Sequence, residues 1–305
     1  GSVHDLLFAH GVPGIQDIDT RELTRRVREH GTVLCIFGPA EAEREMLVRL
    51  DEMSPPDAED LVAEVTCDEA VIINPGAVDE EGKSLPRLAA IDCGVKYNIL
   101  RELAQRFEVI WFPANTTFDE ILKWKPDAFF ASNGPGDPAH SGAATTARDS
   151  LAAAVRAGLP VMGICLGHQL MGLAAGLRTY KLRYGHRGAN QPVVDLETGR
   201  VYITSQNHGF AVEDPEKGML APHPSGACSI RGGNELEAPF KVRYVNANDR
   251  TVEGLDLIGK RAFTIQYHPE ACPGPHDASP LFDRFASMVA DHLAGIPIPT
   301  SGGDS

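Results

Sequence analysis

Residues 159–175, LPVMGICLGHQLMGLAA, constrain the fold of this chain more than any other stretch. The apolar run 159–164 reads as a strand that stops at Cys165, and Leu170, Met171, Leu173 and Ala174 follow at helical spacing. Gly163 and Gly167 flank the cysteine as G-x-C-x-G, the spacing of a nucleophile elbow. In such a turn, missing Cβ atoms let a strained backbone push the central side chain out of the sheet. The helix that follows aims its free NH groups and positive dipole end at the sulfur, which favours thiolate over thiol. Cys165 is therefore the candidate nucleophile. Taken alone, the pattern fits a buried core cysteine equally well.

The flanking sequence extends this strand-turn-helix into an alternating series. Residues 88–91, 108–112 and 128–131 read as strands, with helical periods over 97–107, over 117–124 behind a Thr117 cap, and over 143–157. Alternation of this kind implies parallel strands joined by helical crossovers, hence an α/β fold with a doubly wound, mostly parallel sheet. Ligands of such sheets bind beyond the carboxyl ends of the strands, where both Cys165 and the loop SNGPGDP (132–138) fall. After Gly176 come shorter strand-like runs at 191–196, 201–205 and 262–267, then a closing helix over 280–293. Upstream, Asp19 and Glu22 open a helix that Gly31 stops, residues 33–37 read as a strand, and 40–50 as a second helix. The stretch 51–86, rich in Asp, Glu, Pro and Gly, reads as a boundary or linker. The divisions expected are thus 1–86, 87–295 and a flexible polar tail over 296–305.

Composition narrows the function classes. A formal net charge of −14 argues against a nucleic-acid partner, because phosphate neutralisation needs clustered Lys and Arg. No apolar run reaches the roughly 18 residues that span a bilayer, so no membrane association is expected. Cys35, Cys67, Cys93, Cys165, Cys228 and Cys272 form no C-x-x-C pair, which fits reduced thiols in a cytoplasmic protein.

A thiolate nucleophile needs a base that can also return a proton to the leaving group, normally a histidine held by a third group. His268 ends the run AFTIQYH, with Glu270 two residues on. In an extended chain those two share a side, so Glu270 can accept from one ring nitrogen while the other faces the sulfur. The pair could instead ligate a metal, but no third ligand at suitable spacing accompanies it, and no metal is expected. His168 is expected to pack against the sheet. The glycines of SNGPGDP can present bare NH groups to a developing oxyanion, with the NH of Leu166 as the natural second donor, or the loop can be a tight turn and nothing more. Residues 205–210, SQNHGF, read as a polar turn able to recognise an α-amino acid.

GICLGHQ, SNGPGDP, QNHGF and HPEACPGPHDASPLFDRF together resemble the motifs of class I glutamine amidotransferases. The likeness is greatest to the small subunit of carbamoyl-phosphate synthetase, through HPEA-x-PGPHD and the upstream GVPGIQDIDTRELT, which resembles the end of that subunit's amino-terminal domain. The resemblance implies that Cys165 attacks the carboxamide of glutamine, His268 protonates departing ammonia and later activates water, and Glu270 orients His268. It implies oxyanion contacts from the NH groups of Gly134 and Leu166, and glutamine contacts from Gly136, Gln169, Asn207, Gly209 and Phe210, with Lys96 near that pocket. It implies no cofactor in this chain, and a large synthetase partner that uses bicarbonate, ATP and the channelled ammonia. The early part of the family's amino-terminal domain, which supplies a serine to glutamine, has no counterpart here; the chain reads as a fragment or as one whose missing strands are supplied otherwise. Two other readings are a stand-alone cysteine hydrolase of γ-glutamyl substrates and a non-catalytic, partner-binding subunit.

Overall fold

The computed structural model describes residues 1–218 and 232–298. In chain order the elements are α1 (Val3–Ala9), α2 (Thr20–His30), α3 (Glu43–Glu52), α4 (Leu61–Val65), β1 (Val71–Ile72), β2 (Arg87–Asp92), α5 (Tyr97–Ala104), β3 (Glu108–Pro113), α6 (Phe118–Leu122), β4 (Ala128–Ala131), α7 (Ala143–Arg156), β5 (Val161–Ile164), α8 (Leu166–Ala174), β6 (Thr179–Asp195), β7 (Val201–Val212), β8 (Phe240–Asn246), β9 (Val252–Leu257), β10 (Ala262–Ile265) and α9 (Pro280–Leu293). One ten-stranded sheet joins the strands in the order β1-β3-β2-β4-β5-β10-β9-β7-β6-β8. The run β3-β2-β4-β5-β10 is parallel, and the strands on either flank pair antiparallel, so the sheet is mixed.

Alternate residues of the parallel strands feed two cores. Ala89 and Ile91 of β2, Phe129 of β4 and Val161 of β5 pack with Leu151 and Val155 of α7 and Leu166 and Leu170 of α8. Leu88, Ala90, Phe130, Met162 and Ile164 point the other way, onto Ile99 and Leu103 of α5 and Phe282, Phe285 and Val289 of α9. Period-2 strands beneath period-3.6 helices explain this division. A large-to-alanine change in either core would cost about 2–5 kcal/mol.

Three sequence-based expectations are corrected. Residues 33–37 form no strand; Val33 and Phe37 are 52% and 51% exposed, and β propensity without a neighbouring strand to pair yields no ladder. The short runs 191–196 and 201–205 belong to one long hairpin, β6–β7, whose alternation is broken at two register shifts, Lys181/His186 and Gly188/Gln191. Gly185 (φ +69°) and Gly188 (φ +127°) sit in those shifts, in backbone that favours glycine, which hides the strand from a period count. SQNHGF accordingly lies within β7 and is no turn. Cys228 and, within the proposed tail, residues 299–305 lie outside the described residues.

Candidate active site

Strand register sets the site. Ile164, the last residue of β5, pairs with Ile265 of β10, and the NH of Cys165 donates to the Ile265 carbonyl at 2.8 Å. The two chains leave the sheet side by side, one to Cys165 and the other through Gln266 to His268. Cys165 turns directly into α8 at φ +54° and ψ −100°, a strained conformation for a residue with a Cβ. Its glycine neighbours are required by space: a Cβ on Gly163 would lie 2.8 Å from Gly167 backbone, and one on Gly167 would lie 2.3 Å from the Ala131 carbonyl oxygen. The elbow therefore stores its strain in the cysteine while its glycines admit close backbone approach.

His268 is anchored through its NH, which donates to the Ser205 carbonyl at 2.9 Å. Its Nδ1 lies 2.7 Å from Glu270 Oε1, both side chains being buried. Burial alone would drive the proton off His268, but hydrogen bonds and charges from Cys165 and Glu270 prevail and raise its pKa to about 9. Burial pushes the Glu270 carboxyl up, while its hydrogen bond to His268, that residue's charge and the Lys96 ammonium more than offset this, leaving it below the ordinary value. Lys96 Nζ is 3.4 Å from Glu270 Oε1. Cys165, His268, Glu270 and Lys96 are thus brought together. His168 is fully buried with Nδ1 2.9 Å from Thr264 Oγ1, and desolvation lowers its pKa to about 3, so it stays neutral against the sheet.

Gly134 lies where a Cβ would meet the Cys93 carbonyl oxygen at 2.1 Å and Leu166 Cδ2 at 2.7 Å. Among the described residues its NH and that of Leu166, the first residue of α8, donate no hydrogen bond. Gln169 is buried, its Nε2 donating to the Phe210 carbonyl at 2.9 Å. Gly136, Gly209 and Phe210 line one cavity of about 320 Å³ together with Thr32, Val33, Leu34, Pro55, Pro56, Asp57, Lys181, Leu182 and Arg187. Asn207 lies on β7 opposite Arg187, exposed and outside that lining.

Two contributors escaped sequence reasoning. Gln266 donates to Cys165 Sγ at 3.6 Å and accepts from Gln169 Nε2 at 3.0 Å. Its position two residues before His268, hence on the same side of an extended chain, was the available signal. The cavity wall from residues 32–34 and 55–57 had no sequence signature. Among the described residues, the one His, Cys, Asp or Glu group close enough to hold a metal ion is His186, His208 and Glu253. Among the described residues, no helix is long and apolar enough to cross a membrane.

Residues 89–288 match the class-I glutamine amidotransferase family, which places the fold in that class. Residues 1–37 match the carbamoyl-phosphate synthase small chain, CPSase domain. The carbamoyl phosphate synthase small chain of Methanopyrus kandleri is 42% identical over 95% of this chain and 74% of its own length. That of Methanocaldococcus jannaschii is 43% identical over 94% and 75%, and that of Mycobacterium tuberculosis H37Rv 40% identical over 95% and 73%. The chain belongs to the carbamoyl phosphate synthase small chain family, within the class I glutamine amidotransferases. A solved chain described as a candidate GMP synthase component from Thermoplasma acidophilum shares the fold, with a TM-score of 0.53, 16% identity, and 69% of this chain and 96% of that one covered.

Proposed function

We propose that this chain hydrolyses glutamine through Cys165, His268 and Glu270 and supplies the ammonia to a large synthetase subunit, which uses bicarbonate and ATP to make carbamoyl phosphate. The observation that carries the reading is the register that sets the strained Cys165 beside the buried His268–Glu270 pair. In the first step the Cys165 sulfur attacks the carboxamide carbon, and the NH groups of Gly134 and Leu166 hold the oxyanion. Collapse breaks the C–N bond, His268 gives its proton to the leaving nitrogen, and a glutamyl thioester remains. Water then attacks, His268 accepts its proton, the C–S bond breaks, and glutamate leaves with the sulfur regenerated. Glu270 holds the imidazole tautomer throughout. Glutamine is gripped by Gly136, Gln169, Asn207, Gly209 and Phe210.

The site needs no cofactor for this chemistry; ATP belongs to the partner's step. We read 1–86 as the end of the small subunit's amino-terminal domain with its linker, 87–295 as the doubly wound amidotransferase domain and 296–305 as a tail. We place the protein in the cytoplasm, with neither nucleic acid nor membrane as partner. The test is glutamine-dependent ammonia release by the chain with and without a co-purified large subunit. The expected result is activity that rises with the large subunit but vanishes in Cys165→Ser, with a glutamyl adduct on Cys165 by mass spectrometry. Undiminished release by Cys165→Ser would overturn the mechanism.

A further inference from the structure

Away from the triad, four polar side chains of the antiparallel wing meet beneath Phe210. His186 stands on β6, Gln206 and His208 on β7, and Glu253 on β9. Gln206, His208 and Glu253 are buried, and the His186 side chain is 13% exposed. Each imidazole is anchored outward by an atom that can only accept: His186 Nε2 lies 2.9 Å from Asp249 Oδ2, and His208 Nδ1 lies 2.7 Å from the Phe210 carbonyl oxygen. The second contact puts the proton of His208, kept neutral by burial, on Nδ1. Burial of His186 is outweighed by the hydrogen bonds and charges of Asp249 and Glu253, which raise its pKa to about 9 and keep that ring protonated in the apo protein. The inward nitrogen of His208 then presents a lone pair to a further lone pair, while the inward nitrogen of His186 carries a proton that an incoming divalent ion would displace. His186 Nδ1 is 3.2 Å from Glu253 Oε1, and His208 Nε2 is 3.1 Å from Gln206 Oε1. Gln206 cannot simply turn over, because its Nε2 already donates to Glu253 Oε2 at 3.0 Å and Thr204 Oγ1 at 3.2 Å. The acceptor-to-acceptor contact of His208 Nε2 with Gln206 Oε1 is unfavourable until positive charge reaches it, and a divalent ion taking the place of the His186 proton would face both inward nitrogens.

We infer that His186 Nδ1, His208 Nε2 and the Glu253 carboxylate, with Gln206 Oε1 as a fourth donor, form a site for a divalent ion of the zinc type. One ligand atom from each of His186, His208 and Glu253 lies within 4.8 Å of the others. The 3.1 and 3.2 Å contacts match the edge of a zinc tetrahedron, about 3.3 Å for bonds of about 2.0–2.2 Å. Ligating imidazoles characteristically give their second N–H to a carboxylate or a backbone carbonyl, and this cluster has one of each. Two nitrogens in the donor set favour zinc over magnesium or calcium, which prefer all-oxygen shells. With all four positions supplied by protein, the ion would clamp β6, β7 and β9 and would carry no substrate. The inference is independent of glutamine hydrolysis.

The experiment is titration of the metal-stripped, full-length chain carrying Cys165→Ser, so that the elbow sulfur cannot act as a ligand. Co²⁺ is expected to bind at one equivalent by calorimetry, with visible bands of a four-coordinate nitrogen and oxygen site and no thiolate charge-transfer band, and Zn²⁺ to displace it. His186→Ala and Glu253→Gln should each weaken binding at least about 100-fold, and Asp249→Asn, which only frees the His186 ring, about 10-fold to 100-fold. Circular dichroism reports whether each variant is folded, and the parent's stoichiometry and spectrum decide the matter should one fail. No binding by the folded parent, a thiolate charge-transfer band, or undiminished affinity in His186→Ala would each overturn the site.

Discussion

His268 Nδ1 lies 2.7 Å from Glu270 Oε1, with the two side chains only 3% and 2% exposed. A buried carboxylate aimed at a buried imidazole fixes which nitrogen carries the proton, leaving Nε2 for the sulfur. The same contact makes the pair a source of pH-dependent stability. The folded pKa of His268, about 9, stands above its ordinary 6.5. The proton therefore contributes stability that is fully present below pH 6.5 and is lost as pH rises through about 9.

Replacing Glu270 by Gln removes the charge and keeps the shape. The stability gap between parent and Glu270→Gln, measured by thermal melts, should be widest just below pH 6.5, where Glu270 is still ionised, and narrow as pH rises through about 9. Ammonia release should fall about 10⁴-fold, the scale seen when a triad carboxylate is neutralised. A kcat unchanged by the substitution would remove Glu270 from the mechanism.

Gly134 and Gly209 make a contrasting pair. A Cβ on Gly134 would meet the Cys93 carbonyl oxygen at 2.1 Å, whereas one on Gly209 would have only Arg187 Nη2, at 3.7 Å, within 4 Å. Gly134→Ala should destabilise the fold by about 1–3 kcal/mol and cut activity steeply. Gly209→Ala should stay within about 0.5 kcal/mol of the parent in denaturant melts, yet raise KM for glutamine by narrowing the cavity. Equal losses of stability in both variants would refute this division.

Gln266 joins the nucleophile to a buried side chain, with Nε2 3.6 Å from Cys165 Sγ and Oε1 3.0 Å from Gln169 Nε2. Gln266→Leu preserves most of the volume and leaves Gln169 Nε2 with the Phe210 carbonyl alone. A loss of about 1–2 kcal/mol is expected, together with slower modification of Cys165 by iodoacetamide. Modification at the parental rate would show that Gln266 supports the fold and not the sulfur.

The elbow and the His268–Glu270 pair were legible because each is written within a few consecutive residues whose geometry follows from a strand, a turn or an extended segment. The closing helix, Pro280–Leu293, was legible for the same reason: its apolar positions repeat at helical spacing behind a proline. The β6–β7 hairpin was not, because Gly185 and Gly188 interrupt its alternation, so SQNHGF was read as a turn although it is strand. The cluster of His186, His208 and Glu253 was equally hidden, since it exists only once three strands lie side by side. The cavity wall contributed by residues 32–34 and 55–57 depends on the same long-range placement.

The 55–57 part of that wall carries an ion pair. Lys181 Nζ, on β6, lies 2.5 Å from Asp57 Oδ2, with the side chains 13% and 23% exposed. Both residues line the cavity that Gly136, Gly209 and Phe210 share. Partial solvent screening keeps the pair's contribution to global stability to about 1 kcal/mol or less, but its loss frees the segment before α4 to move off the cavity. Asp57→Ala should therefore melt close to the parent while raising KM for glutamine about fivefold, an order-of-magnitude figure equivalent to about 1 kcal/mol of lost positioning, with kcat held. Salt acts in the same direction, because about 1 M ionic strength shortens the screening length to about 3 Å; the parent's KM should climb toward that of Asp57→Ala as salt is added, while the variant's stays level. A fall in kcat without a change in KM would instead place Asp57 in support of the nucleophile, and parallel salt responses in the two proteins would detach the ion pair from glutamine entry altogether.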